Sequence, residues 1–177
     1  KQVKELEKSQ KSDLDLSWAK HITIFIHMAA TVGFQESLDY ALRLNTLGAY
    51  RLVKWAQNNC PKTIMFCHTS TCYVNSNQNT GSIIKEKMYP LELPGKEDYL
   101  SFAKRIIDLK DPEDIKTVED KMLKKYKFPN TYTFSKSLAE RILIQNRGTI
   151  PVCIFRPSII TSTYKEPVTG WIDGLAG

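Results

Sequence analysis

Three short runs of β-branched and aromatic residues constrain this chain most: Ile22-Thr-Ile-Phe-Ile26, Thr63-Ile-Met-Phe-Cys67 and Pro151-Val-Cys-Ile-Phe155. Each has strand length, and an unbroken apolar run of that length reads as a strand buried in a parallel sheet. The first is expected to be central. Residues 36–58 between the first two runs have helical periodicity, with Leu38, Ala41, Leu42, Leu44, Leu52, Val53 and Trp55 among the apolar positions. Asn59, Cys60 and Pro61 close that helix. Parallel strands joined through helices need right-handed crossovers. The order strand–helix–strand–insertion–helix–strand therefore predicts an α/β fold with a parallel sheet.

The insertion falls at about 95–128. Asp111-Pro-Glu-Asp gives an N-cap followed by proline at the first helical position, so a helix is expected from there to about Tyr126. Ile115, Val118, Met122 and Tyr126 line one face of it. The sequence favours neither a lid nor a surface excursion at the sheet's edge. Residues 1–20 are charged and polar, with few apolar anchors, and read as a linker or partial helix before a domain spanning 21–177. Within the 36–58 helix, Asn45 and Gly48 are poor helix formers and each needs a reason. Gly48 is expected to permit close packing on the sheet, and Asn45 to hydrogen-bond to a neighbouring strand or loop.

The chain has 177 residues, enough for one domain with a sizeable core. Its longest apolar run, Ile22–Phe34, is broken by His27 and Gly33 and is too short to span a bilayer. The net charge of +6 comes mainly from lysines near the amino terminus and in 104–127, and reads as a solvated lysine face. Aromatics are not interleaved with those lysines, so a nucleic-acid surface is not expected. Cys60, Cys67, Cys72 and Cys153 lack metal-ligand spacing and read as reduced core residues of an intracellular protein. His21, His27 and His68 are too scattered for a metal site. The start on Lys1 rather than Met, without a signal-peptide pattern, suggests a piece of a longer protein.

The chemistry is concentrated at strand ends and on one helix. His27-Met-Ala-Ala-Thr31 follows the first strand, and the small residues Ala29 and Ala30 let a ligand approach the backbone where open α/β sheets bind ligands. The second strand runs into the hydroxyl cluster His68-Thr-Ser-Thr-Cys-Tyr-Val-Asn75. In Asn130–Arg141, helical spacing puts Tyr132 and Lys136 on one face, with Ala139 and Leu143, while Phe134, Leu138 and Ile142 form a second apolar stripe. A buried ammonium needs a carboxylate or a hydroxyl-rich ligand. Beside a phenol it lowers the phenol's pKa and suits it to proton transfer to or from a carbonyl oxygen. The spacing alone is weak evidence, since Tyr50-Arg-Leu-Val-Lys54 repeats it.

Taken together, the hydroxyl cluster, the Tyr-x-x-x-Lys helix and Arg156-Pro-Ser after the third strand resemble the extended short-chain dehydrogenase/reductase superfamily. The phrases His27–Phe34, His68–Asn75, Pro129–Lys136, Arg156–Ile160 and especially Lys165-Glu-Pro-Val-Thr-Gly-Trp-Ile-Asp173 resemble the male-sterility-type fatty acyl-CoA reductases. That resemblance implies the second half of a Rossmann-like fold, a parallel sheet with helices on both faces. It implies NADPH as cofactor and reduction of a long-chain fatty acyl-CoA to the alcohol. Thr71 would bind the carbonyl oxygen and Tyr132 would protonate it. Lys136 would grip the nicotinamide ribose and hold down the Tyr132 pKa, with Asn45 fixing water or backbone behind it. Ala29 and Ala30 would face the cofactor, and Pro157 and Ser158 the nicotinamide.

Family members open with a strand, a Gly-rich turn and a helix that seat the pyrophosphate. Gly170, Gly174 and Gly177 follow a loop and do not supply it, and Gly33 stands where family members usually have Arg. Relatives often sit on peroxisomal or endoplasmic-reticulum membranes, through regions outside this sequence. Two alternatives stay open. One is a truncated, inactive relative serving as a structural or interaction subunit of a larger assembly. The other is a reductase of a carrier-protein thioester or an aldehyde.

Overall fold

The computed structural model describes residues 15–172. Three parallel strands, β1 (Ile24–His27), β2 (Met65–Thr69) and β3 (Val152–Phe155), lie in the order β1-β2-β3. The ladder pairs Phe25 with Phe66 and His27 with His68, then Cys67 with Cys153 and Thr69 with Phe155. β1 and β2 begin and end two residues or one residue later than their apolar runs. Pairing persists to the strands' carboxyl ends and takes in His27, His68 and Thr69. Among the described residues β2, not β1, is the central strand.

β1 and β2 are joined through α1 (Leu38–Ala41), a π-helical turn (Leu42–Thr46) and α2 (Leu47–Asn59). The insertion supplies α3 (Tyr99–Ile107) and α4 (Pro112–Tyr126), and α5 (Thr131–Asn146) leads back to β3. Two crossovers of one hand, stepping the same way across a sheet, must put their helices on the same face. Phe25 and Phe66 accordingly pack with Ala49, Val53 and Ala56 of α2 and Leu143 of α5. The opposite face presents Ile24 and Ile26, 47% and 70% exposed. Helices thus cover one face among the described residues, where the sequence pointed to both.

The insertion is structural. Phe102, Ala103 and Ile106 of α3 and Met122 of α4 join Leu38, Leu42, Phe134, Leu138 and Ile142 in one buried cluster. It therefore rests on the crossover helices, not along the sheet's edge. Asp111 caps α4 by accepting from the Glu113 amide at 2.8 Å. Glu119 of α4 reaches across to accept from the Leu38 amide at 3.0 Å, so a distant carboxylate caps α1.

Gly48 does not make the expected close approach, because a Cβ there would meet nothing within 4 Å. Ala49, fully buried, holds that place after the π turn has shifted the helix's phase. All four cysteines are free; Cys60 is buried as expected, but Cys72 and Cys153 are exposed. Ser17–His21 forms a 3-10 turn with Ala19 buried, so the expected boundary at 21 falls at its end. Residues 1–14 of the expected linker lie outside the described residues. No helix among those described is long and apolar enough to cross a membrane.

Phe134 is the hub of the helical cluster, with ring centroids of Phe128, Tyr126 and Phe102 at 5.3, 6.1 and 6.3 Å. Phe134→Ala should cost about 3–5 kcal/mol in urea unfolding. A loss below 1 kcal/mol would show that the insertion does not stabilise the core.

Candidate active site

The strand ends and the amino-terminal turn of α5 surround one hollow of about 630 Å³. Thr71, Tyr132, Thr133, Asn130 and Ser158 give it polar points, and Val32, Phe34, Tyr73, Ile159 and Ile160 are the apolar part of its wall. α5 starts here because the Asn130 side chain accepts from the Thr133 amide at 2.9 Å. Tyr132 is thereby set at the mouth of the helix. The Phe34 ring lies over it, centroids 5.7 Å apart.

Thr71 is 5% exposed and extended, and its hydroxyl oxygen accepts from the Tyr73 amide at 3.2 Å. That leaves its proton free for an acceptor in the hollow. Successive side chains of an extended segment point opposite ways. Ser70 therefore turns inward and donates to the Glu140 carboxylate at 2.6 Å, while Thr71 faces the hollow.

Lys136, 2% exposed, lies one turn deeper than Tyr132, and its ammonium donates to the Thr69 carbonyl at 2.5 Å. Burial lowers its pKa to about 8, opposed by the Glu140 carboxylate. The expected downward shift at Tyr132 is not what the structure gives. Burial raises the phenol's pKa, hydrogen bonding with Thr71 opposes this, and Cys72 adds to the rise. The phenol is thus held protonated, as a proton donor requires.

Asn45 sits in the π turn, fully buried. Its side chain accepts from the Thr31 amide at 2.9 Å and donates to the Thr31 carbonyl at 3.2 Å and the Ser135 hydroxyl at 3.0 Å. It fixes the loop after β1 against α5, the neighbouring-loop contact its position in a helix suggested. Ala29 and Ala30 are exposed at the end of β1, and Pro157 follows β3, where its carbonyl accepts from the Cys72 amide at 2.9 Å. The hollow thus gathers Thr71, Tyr132 and Ser158, with Lys136 and Asn45 behind it. Ala29, Ala30 and Pro157 lie at the strand ends and do not line it. Tyr50 and Lys54 are on α2, where the Lys104 ammonium stands over the Tyr50 ring at 5.9 Å, away from the hydroxyl cluster.

Sequence reasoning missed the apolar lining at Phe34, Tyr73, Ile159 and Ile160, and a buried histidine pair. His27 and His68 face each other in register, their Nδ1 atoms 3.0 Å apart. Each is the first residue of its strand-end phrase, so in-register pairing of those phrases would have found them. Burial, then the Lys136 charge, lowers both pKa values, that of His68 to about 3, with His27 adding a further push there.

A family model described as male sterility protein, an NAD-binding domain family, matches residues 9–177. The chain belongs to the male sterility protein family. Among this family's relatives, "Alcohol-forming fatty acyl-CoA reductase" of Simmondsia chinensis is 36% identical over 171 residues, covering 88% of this chain and 34% of that protein. "Fatty acyl-CoA reductase wat" of Drosophila melanogaster is 35% identical over 158 residues, covering 89% and 28%. "Fatty acyl-CoA reductase 1" of Xenopus laevis is 36% identical over 156 residues, covering 88% and 28%. The chain spans about a third of the length of these relatives.

A nicotinamide cofactor, which membership of this family implies, fits the donor set in one half. The Lys136 ammonium has three donors and spends one on Thr69, leaving two for a ligand's hydroxyls. Among the described residues no Gly-rich strand–turn–helix stands ready for the pyrophosphate.

The histidine pair makes stability sensitive to acid. An unfolded chain protonates His68 near pH 6.5, the folded chain only near 3. The unfolded state therefore binds more protons between these values, and stability falls as pH drops through that window. Urea unfolding should lose about 2 kcal/mol between pH 7.5 and 5 through His68. His68→Gln should flatten that slope, and an unchanged slope would contradict the assignment.

Proposed function

We propose that this chain carries the catalytic site of an NADPH-dependent reductase that converts a long-chain fatty acyl-CoA to the fatty alcohol. The supporting observation is the convergence of Thr71 and the protonated Tyr132 on one largely apolar hollow, with the Lys136 ammonium one helical turn behind. An apolar wall suits an acyl chain, and a few convergent polar groups suit its carbonyl. The relatives' names point to the same substrate class.

NADPH, when bound, supplies the hydride. Lys136 would hold the nicotinamide-ribose end, Ala29 and Ala30 would face the cofactor, and Pro157 and Ser158 would border the nicotinamide. Thr71 donates to the thioester carbonyl oxygen, and Tyr132 gives that oxygen its proton as negative charge develops. The thiol of CoA leaves, giving the aldehyde. After exchange of the spent cofactor for a second NADPH and reprotonation of Tyr132 from solvent, a second hydride and a second proton would give the alcohol. The Lys136 charge, one turn away, stabilises the phenolate left behind each time. Asn45 acts through the Thr31 loop, which it holds beside Tyr132 and Phe34. We place the enzyme at a peroxisomal or endoplasmic-reticulum membrane, held there by regions outside this chain.

Full-length protein given NADPH and palmitoyl-CoA should release hexadecanol, and Tyr132→Phe should lower kcat by about 100-fold or more with little change in KM. Undiminished turnover in Tyr132→Phe would defeat the proposal. A second signature comes from Lys136, whose charged form is lost above about pH 8. The kcat/KM profile should fall on its alkaline side from there, and Lys136→Arg should move that limb upward. A flat profile to pH 10 would remove Lys136 from the mechanism.

A further inference from the structure

Glu140 is 1% exposed and lies one helical turn beyond Lys136 on α5. A carboxylate this deep needs several donors to replace water. Arg156 provides two in a fork, Nε at 2.9 Å and Nη2 at 2.7 Å, and the Ser70 hydroxyl provides a third at 2.6 Å. These donors come from the two loops that form the site. Ser70 immediately precedes Thr71 at the end of β2, and Arg156 lies two residues before Ser158 at the end of β3. The Ser70 amide also donates to the Phe155 carbonyl at 2.7 Å, so the two loops leave the sheet together. The neighbouring Arg141 is spent elsewhere, on Ser137 and the Tyr89 carbonyl.

We propose that Glu140 is a positioning residue for the reduction: gripped by Arg156 and Ser70, its carboxylate fixes the loops bearing Thr71 and Ser158 against the helix bearing Tyr132 and Lys136. This rests on the reductase reading of the site. A bidentate guanidinium–carboxylate pair fixes orientation as well as distance, which an ordinary apolar contact does not. Thr71 meets α5 at Tyr132 across the hollow, where substrate must enter. The separation of donor and acceptor across the hollow is therefore set from beneath.

The test is Glu140→Gln in the full-length protein, which keeps the shape and one hydrogen-bonding oxygen but loses the charge and the fork. With the fold retained, kcat should fall about 100-fold while KM changes little, as a shift of roughly 1 Å in the reacting groups produces. The alkaline limb of kcat/KM should also move to lower pH. Lys136 faces Glu140 on its own helix and the neutral His27 and His68 on β1 and β2, and Arg156 and Arg141 are the cations around Glu140. Removing the negative charge takes away the neighbouring charge that raises the Lys136 pKa and leaves burial to lower it, so its proton is lost more readily.

A crystal structure of the variant should show the 70–72 and 156–158 segments displaced from α5, a readout independent of turnover. Wild-type kcat with an unmoved limb, or loops in their original place, overturns the proposal. If Glu140→Gln does not fold, Arg156→Lys and Ser70→Ala each remove one arm of the clamp. A loss of about ten-fold in kcat with a melting temperature near wild type supports positioning, and unaltered kcat in both overturns it. Absence of turnover in the wild type would instead remove the reductase reading, and the loop positions in the crystal would still decide the role of Glu140.

Discussion

The hydrogen bond from the Lys136 ammonium to the Thr69 carbonyl joins the helix of the site to the end of the central strand. Its constraint is energetic, since an ammonium buried to 2% exposure stays charged near neutral pH only if something replaces its water. The carbonyl does so in part, and the Glu140 carboxylate one turn on supplies the opposite charge. α5 is therefore not an ordinary amphipathic helix. Thr131 to Leu143 are buried almost without a break, polar residues included, and several of these polar side chains tie the helix to its surroundings: Thr131 to the Glu36 carbonyl, Ser135 to Asn45, Lys136 to Thr69, and Glu140 to Ser70 and Arg156. Those ties fix the helix in rotation and depth, and with it Tyr132.

Two layers result. The upper is a mostly apolar hollow into which Thr71 and Tyr132 point, and its phenol is kept protonated by burial. The lower is ionic and amide-rich. Lys136, Glu140 and Arg156 hold the β2 and β3 ends, and Asn45 holds the loop after β1. The His27–His68 pair lies at the same level and stays neutral, because burial and the nearby ammonium both oppose its protonation. The pair adds no charge to compete with Lys136.

Much of this was legible in the sequence, for physical reasons that also explain the gaps. Apolar run length marked all three strands, and the Asp111-Pro112 cap marked the start of α4, because both signals are local. Tyr132, Lys136 and Thr71 were legible as strand-end and helix-face residues. Their convergence was expected from the family resemblance, whereas residue spacing alone did not give it, since it depends on how deep α5 sits. β1 looked central because Ile24 and Ile26 are as apolar as a buried strand's residues, and a sequence does not show which face a layer covers. Gly48 misled because the π turn advances the helix by one residue and hands the close approach to Ala49. Glu119 capping α1 from 81 residues away, and Glu140 held in a fork by Arg156 from the end of β3, are long-range pairings with no local signature.

The central claim is that a thioester carbonyl is reduced where Thr71 and Tyr132 meet. A crystal structure of the full-length protein with NADP⁺ and an acyl-CoA analogue bearing an amide in place of the thioester tests it most directly. The account predicts the amide oxygen within hydrogen-bond distance, about 3 Å, of both the Thr71 hydroxyl and the Tyr132 phenol. It also predicts the acyl chain along Phe34, Ile159 and Ile160. An analogue seated elsewhere on the protein, or with its carbonyl turned away from both hydroxyls, would contradict it.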